Sequence, residues 1–136
     1  MLNHIGLPLG IGVHASQKEQ AFADWRAGLK TVASHPNMFI KLGGMGMHML
    51  GLALDHLPGP FSSEEVAQEY QPYVYECVSA FGAHRCMFES NFPVDRTRCD
   101  YRTLWNAFKR TASHFSEDEK ASLFAGAARS FYRLHE

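Results

Sequence analysis

RCMFESNFPVD, from Arg85 to Asp95, divides into two halves with different backbone chemistry. Arg85 to Ser90 is a strand-like run, and Asn91-Phe92-Pro93-Val94-Asp95 is the loop after it, because Asn and Pro favour turns. Two stretches upstream have the same form. Met38-Phe39-Ile40-Lys41-Leu42 is a short strand-like run stopped by Gly43-Gly44. Residues 2–5 look like the end of another, followed by a Gly/Pro loop from Gly6 to Gly12.

Helical patterns fill the spaces between these runs. Ser16-Gln17-Lys18-Glu19 reads as a capping box, opening a helix with Phe22, Trp25, Leu29 and Val32 on one face. That helix ends at His35-Pro36, since a residue before proline avoids helical dihedrals. Residues 45–61, rich in Gly, Met and Pro, form a long connection with room for a short helical turn. Ser62 to Glu65 is a second capping box, and the helical segment to Phe81 carries an interruption at Pro72 before a Gly82 cap. Asp100 to Ser113 is helical, with Leu104, Trp105 and Phe108 as its apolar face. A third capping box, Ser116 to Glu119, opens a last helix carrying Phe124, Ala127, Phe131 and Leu134.

The order is β-α-β-α-β-α-α. Strands alternating with helices imply right-handed crossovers, a parallel sheet and an α/β fold. Such sheets carry their chemistry in the loops at the carboxyl ends of the strands. Here those loops are His4 to Pro8, Lys41 to Gly46 and Ser90 to Asp95.

Composition narrows the class. At 136 residues, 46% hydrophobic and 20% charged, the chain suits one globular domain. A net charge of −1 with scattered basic residues argues against nucleic acid or an anionic membrane as partner. No apolar stretch approaches the roughly 20 residues of a membrane span, and the first residues lack the basic start of a signal peptide. Cys77, Cys86 and Cys99 form no CxxC pair, so reduced thiols and a cytoplasmic location are expected.

Three segments, in order, resemble the amidohydrolase-related family of TIM-barrel hydrolases and lactonases. NHIGLP (Asn3 to Pro8) is similar to the family's sixth barrel strand, PNMFIKLGGMG (Pro36 to Gly46) to its seventh, and RCMFESNFPVD to its eighth. The closing tail appears as Gly126 to Leu134, with Gly at the usual Asn. A (β/α)8 barrel needs about 250 residues. The resemblance therefore implies that residues 1–136 are the C-terminal three strand–helix units, about strands six to eight, inactive alone. It also implies addition of water to the carbonyl of a lactone or a related small carboxylated ring. A decarboxylase of the same superfamily and a non-catalytic association module are the alternatives. A small-molecule substrate and a homo-oligomer are the partners expected. One divalent metal, zinc, is the implied cofactor, and against it stand Asn91 in place of an aspartate and the missing first-strand histidine pair.

Five residues are then candidates for the site. His4 would bind metal or polarise the carbonyl; the alternative is a loop histidine bonded to backbone near Gly6. Asn91 cannot accept a proton, so it would orient water or hydrogen-bond the carbonyl, unless it is only a turn residue. Glu89 shares a strand face with Asn91, and a partly desolvated carboxylate there suits a base. The alternative for Glu89 is an ion pair with Lys41, which would otherwise contact substrate. Asp95 would reach substrate at the mouth or cap its loop beside Arg96 and Arg98. Gly43, Gly44 and Gly46 read as turn glycines.

Overall fold

The computed structural model describes residues 1–134. Strands β1 (Ile40–Leu42) and β2 (Cys86–Phe88) pair in parallel, with Ile40 opposite Cys86 and Leu42 opposite Phe88. Leu2 adds a parallel bridge to Ile40 on the other side of β1. Its N–H donates to the Phe39 carbonyl at 2.7 Å, and the Lys41 N–H donates to the Leu2 carbonyl at 2.9 Å. The three extended segments thus lie side by side, parallel and in chain order.

Each is shorter than the sequence pattern suggests. The run expected at residues 2–5 contributes only the Leu2 bridge, because the backbone turns into a 3-10 helix over His4–Gly6. His4, Ile5 and Leu7 all take φ near +50°, which takes the chain out of the extended region and ends the pairing.

Alternation divides the two faces of this small sheet. Ile40, Leu42, Cys86 and Phe88 form one face. The Phe88 ring stacks on Phe108 at 4.6 Å and meets Phe124 at 4.9 Å, so this is the face that the helices cover. Lys41, Met87 and Glu89 belong to the opposite face.

Helix α1 (Lys18–Ala33) starts one turn-position later than expected, with Gln17 at its N-cap and no side-chain capping bond. Ser16 therefore does not cap it. Phe22 and Trp25 lie against Tyr73 of α2 (Ser63–Phe81), at 5.2 and 5.4 Å between ring centres. The Ser62–Glu65 capping box forms as expected, but α2 runs straight through Pro72 as one helix. Its apolar stripe, Val66, Tyr70, Val74, Cys77 and Phe81, is buried throughout and outweighs the hydrogen bond that Pro72 cannot donate. Gly82 closes α2 at φ 76°, its N–H on the Val78 carbonyl.

Helix α3 (Tyr101–Thr111) is capped by the Asp100 carboxylate on the Thr103 N–H and buries Leu104, Ala107 and Phe108. The last helical stretch is α4 (Glu117–Ala121), a π segment (Ser122–Gly126) and α5 (Ala127–Tyr132). The wider π turn shifts the buried stripe, so Leu123 and Ala127 form it while Leu134 is 59% exposed. Residues 43–61 contain two 3-10 turns, His48–Leu50 and Ala53–His56. Arg85 binds the opposite end of the sheet, donating to the carbonyls of Ala33, His35, Met38 and Phe81. No helix among the described residues is long and apolar enough to cross a membrane.

Candidate active site

The turn after Leu2 aims the first residue of the site. Three non-glycine residues with positive φ in four positions cost about 1 kcal/mol or more each. Trp25 of α1 holds this turn, its indole N–H donating to the Ile5 carbonyl at 2.7 Å, and the Ile5 side chain is fully buried. The result brings His4 across to Glu89, one residue past β2.

His4 Nδ1 and Glu89 Oε1 are 2.7 Å apart, both shielded from solvent and not aligned as a hydrogen bond. The other Glu89 oxygen lies 3.3 Å from Lys41 Nζ. Burial works against the Lys41 charge, but the Tyr132 hydroxyl and the Glu89 carboxylate outweigh it and hold Lys41 above its ordinary pKa. Glu89 is therefore a carboxylate set between an imidazole and an ammonium. The ion pair with Lys41 that strand geometry suggested is present, and the His4 contact was not legible from spacing.

A second pair lies beside the first. Asn91 takes φ 51°, a conformation Asn tolerates, and its Nδ2 donates to Asp95 Oδ1 at 2.7 Å. The second Asp95 oxygen accepts the Gly46 N–H at 3.1 Å. Asp95 is only 1% exposed, and burial pushes its carboxyl pKa up against the lowering effect of those two donors. It thus sits beneath Asn91 and ties the loop after β2 to the loop after β1. The Arg98 backbone N–H donates to the Asp95 carbonyl at 3.0 Å, while the Arg98 guanidinium is paired elsewhere.

Arg98 instead forms a buried ion pair with Asp55 and lies 5.6 Å from the Phe61 ring centre. The Leu54 N–H donates to Glu69 of α2 at 2.7 Å. These two contacts anchor residues 53–61 beside the site. Asp55 did not stand out in the sequence, and Arg98 was read only as a neighbour of the Asp95 loop, because nothing local to either names its partner.

The three glycines after β1 do more than turn the chain. A Cβ on Gly43 would stand 2.3 Å from Glu89 Cγ, on Gly44 2.6 Å from His4 Nδ1, and on Gly46 2.9 Å from Asp95 Cγ. Each leaves clearance for one site residue.

These donors do not by themselves fit a metal. Both Glu89 oxygens face His4 and Lys41, and both Asp95 oxygens accept N–H groups. Among the described residues no three His, Cys, Asp or Glu side chains are placed to hold an ion. A catalytic zinc ordinarily takes three protein ligands.

Parallel strands packed against helices, with polar groups gathered at their carboxyl ends, define an α/β domain. The family model described as Amidohydrolase matches residues 1–134, and the chain belongs to that family. It is 37% identical over 134 residues to the uncharacterized protein y4mH of Sinorhizobium fredii, covering 98% of this chain and 38% of that one. It is 29% identical to the L-fucono-1,5-lactonase of Burkholderia multivorans, covering 100% of this chain and 43% of the lactonase. A crystal structure of a B. multivorans amidohydrolase with bound HEPES superposes with a TM-score of 0.80 at 27% identity, covering 98% of this chain and 44% of that one. Another, with bound zinc, gives 0.77 at 27% identity over 98% and 43%. The chain spans about two-fifths of the length of the curated relatives it matches.

Proposed function

We propose that this chain supplies the last three strand–helix units of a (β/α)8 barrel, and with them part of the active site of a hydrolase that opens a lactone. The observation that carries this reading is the contact of His4 Nδ1 with Glu89 Oε1, at 2.7 Å, at the carboxyl ends of parallel strands. The lactonase activity in the name of the B. multivorans relative supports the substrate class.

One Glu89 oxygen lies against His4 Nδ1 and the other against Lys41 Nζ, so the proton acceptor the site leaves open to a substrate is the far nitrogen of His4, Nε2. Glu89 orients the ring and stabilises the imidazolium that forms when it takes a proton. Water held near Asn91 adds to the lactone carbonyl as His4 takes its proton. The ester C–O bond then breaks, and the proton passes to the departing ring oxygen, giving the open hydroxy acid. Lys41 balances the Glu89 charge.

The test joins this chain to the part of the B. multivorans lactonase that the match leaves out, and follows opening of L-fucono-1,5-lactone. His4→Ala should lower turnover about 10²–10⁴-fold, the usual contribution of a general base. A folded, active chimera indifferent to His4→Ala would refute the assignment.

A further inference from the structure

The Asn91–Asp95 pair leaves one polar atom unengaged. A carboxylate without its proton only accepts, so Asp95 requires the nitrogen edge of the Asn91 amide to face it. The Asn91 backbone carbonyl accepts the Asp95 N–H at 3.2 Å, but no described residue donates to the Asn91 side-chain oxygen, Oδ1, which is not among the polar atoms shielded from solvent. Asp95 cannot turn away, because its other oxygen holds the Gly46 N–H and Gly46 has no Cβ to block the approach.

We propose that Asp95 is a positioning residue that turns the side-chain oxygen of Asn91, Oδ1, outward at the end of β2, where it accepts a hydrogen bond from a hydroxyl group or a water. This rests on the hydrolase reading and narrows it. Asn91 orients the attacking water or a substrate hydroxyl, and the lactone carbonyl, which only accepts, is not the group its oxygen receives. Where the donor is a substrate hydroxyl, the ligand is a hydroxylated lactone.

Exchange of the two side chains tests the link without reference to any activity. Asn91→Asp alone sets two carboxylates within hydrogen-bond distance, where both cannot be ionised, and the pKa of one is raised. A raised folded-state pKa adds stability below the ordinary carboxyl range and loses it as pH rises. The melting temperature of the full chain should therefore fall by about 5 °C at pH 7 and recover toward pH 4. Combined with Asp95→Asn, the amide at 95 can donate to the carboxylate at 91 and accept from Gly46, and the melting temperature at pH 7 should return to within about 2 °C of the starting chain. Additive losses in the double variant overturn the positioning, whatever the catalytic result.

The acceptor role is read in the lactonase chimera. Asp95→Leu should lower kcat about 10²-fold with little change in KM, the scale of a misplaced reacting group. The exchanged pair, which keeps an outward acceptor, should retain most of kcat. Coupled melting temperatures with kcat unchanged in a folded Asp95→Leu variant overturn the acceptor role. Coupled melting temperatures with no turnover even in the parent chimera would refute the hydrolase reading and, with it, the ligand assignment, while the Asp95–Asn91 positioning would stand.

Discussion

Glu89 is the residue on which the two candidate pairs depend, since it meets both His4 and Lys41. Glu89→Gln keeps the volume but removes the charge from both contacts. In the completed barrel it should lower turnover about 10–100-fold, the usual cost of losing the group that orients a functional histidine. It should also lower the melting temperature. A lowered melt with unchanged turnover would make Glu89 a structural partner of Lys41 alone. The cysteines behave differently. Burial pushes the Cys86 thiol up to about 12, the Cys99 thiol up to about 11, and Cys77 well above its ordinary value. Stability linked to these neutral thiols is complete below the unfolded value near 9 and is lost as pH rises through 11 and 12. At pH 8 iodoacetamide should label none of the three in the native chain and all three in denaturant. Rapid native labelling of Cys99 would contradict this.

Helix starts separate local from tertiary control. The Ser62 and Ser116 capping boxes form, with reciprocal side-chain and backbone bonds to Glu65 and Glu119. Ser16 and Glu19 have the same spacing, yet α1 begins at Lys18 without a side-chain cap. Ser62→Ala should therefore cost about 1 kcal/mol, and Ser16→Ala should fall within about 0.5 kcal/mol of zero. Chemical denaturation of both variants checks the contrast, and an equal loss in the two would show that Ser16 caps in solution. Pro72 gives the converse case. Proline alone suggests a break, but the buried face from Val66 to Phe81 keeps α2 continuous.

For the whole molecule, the decisive feature is the open sheet. Leu2 and β2 lie at its two edges, and unpaired backbone groups on such edges recruit other chains. Leu9, Ile11 and the 79%-exposed Val13 add apolar surface on the loop that follows His4. The chain by itself should sediment as a dimer or larger and should not hydrolyse L-fucono-1,5-lactone. A monomer with a single cooperative melt and lactone turnover would count against the barrel-portion reading.

Local chemistry was enough to place the strand–helix alternation, two of three capping boxes and the Gly82 cap. It also brought His4, Lys41, Glu89, Asn91 and Asp95 to one end of the sheet, because the two-residue period of a strand and the direction of a parallel crossover are properties of the chain itself. The Lys41–Glu89 pair was within reach of that reasoning, since both lie on one face of neighbouring strands. Three things were not. The positive-φ turn that brings His4 to Glu89 depends on Trp25 holding the Ile5 carbonyl from a separate helix. The burial of Asp95 under Asn91 depends on Gly46 arriving from another loop. The Asp55–Arg98 pair joins loops that sequence distance keeps apart. Each is a contact between segments whose relative position exists only after the core has packed, so no local pattern encodes it.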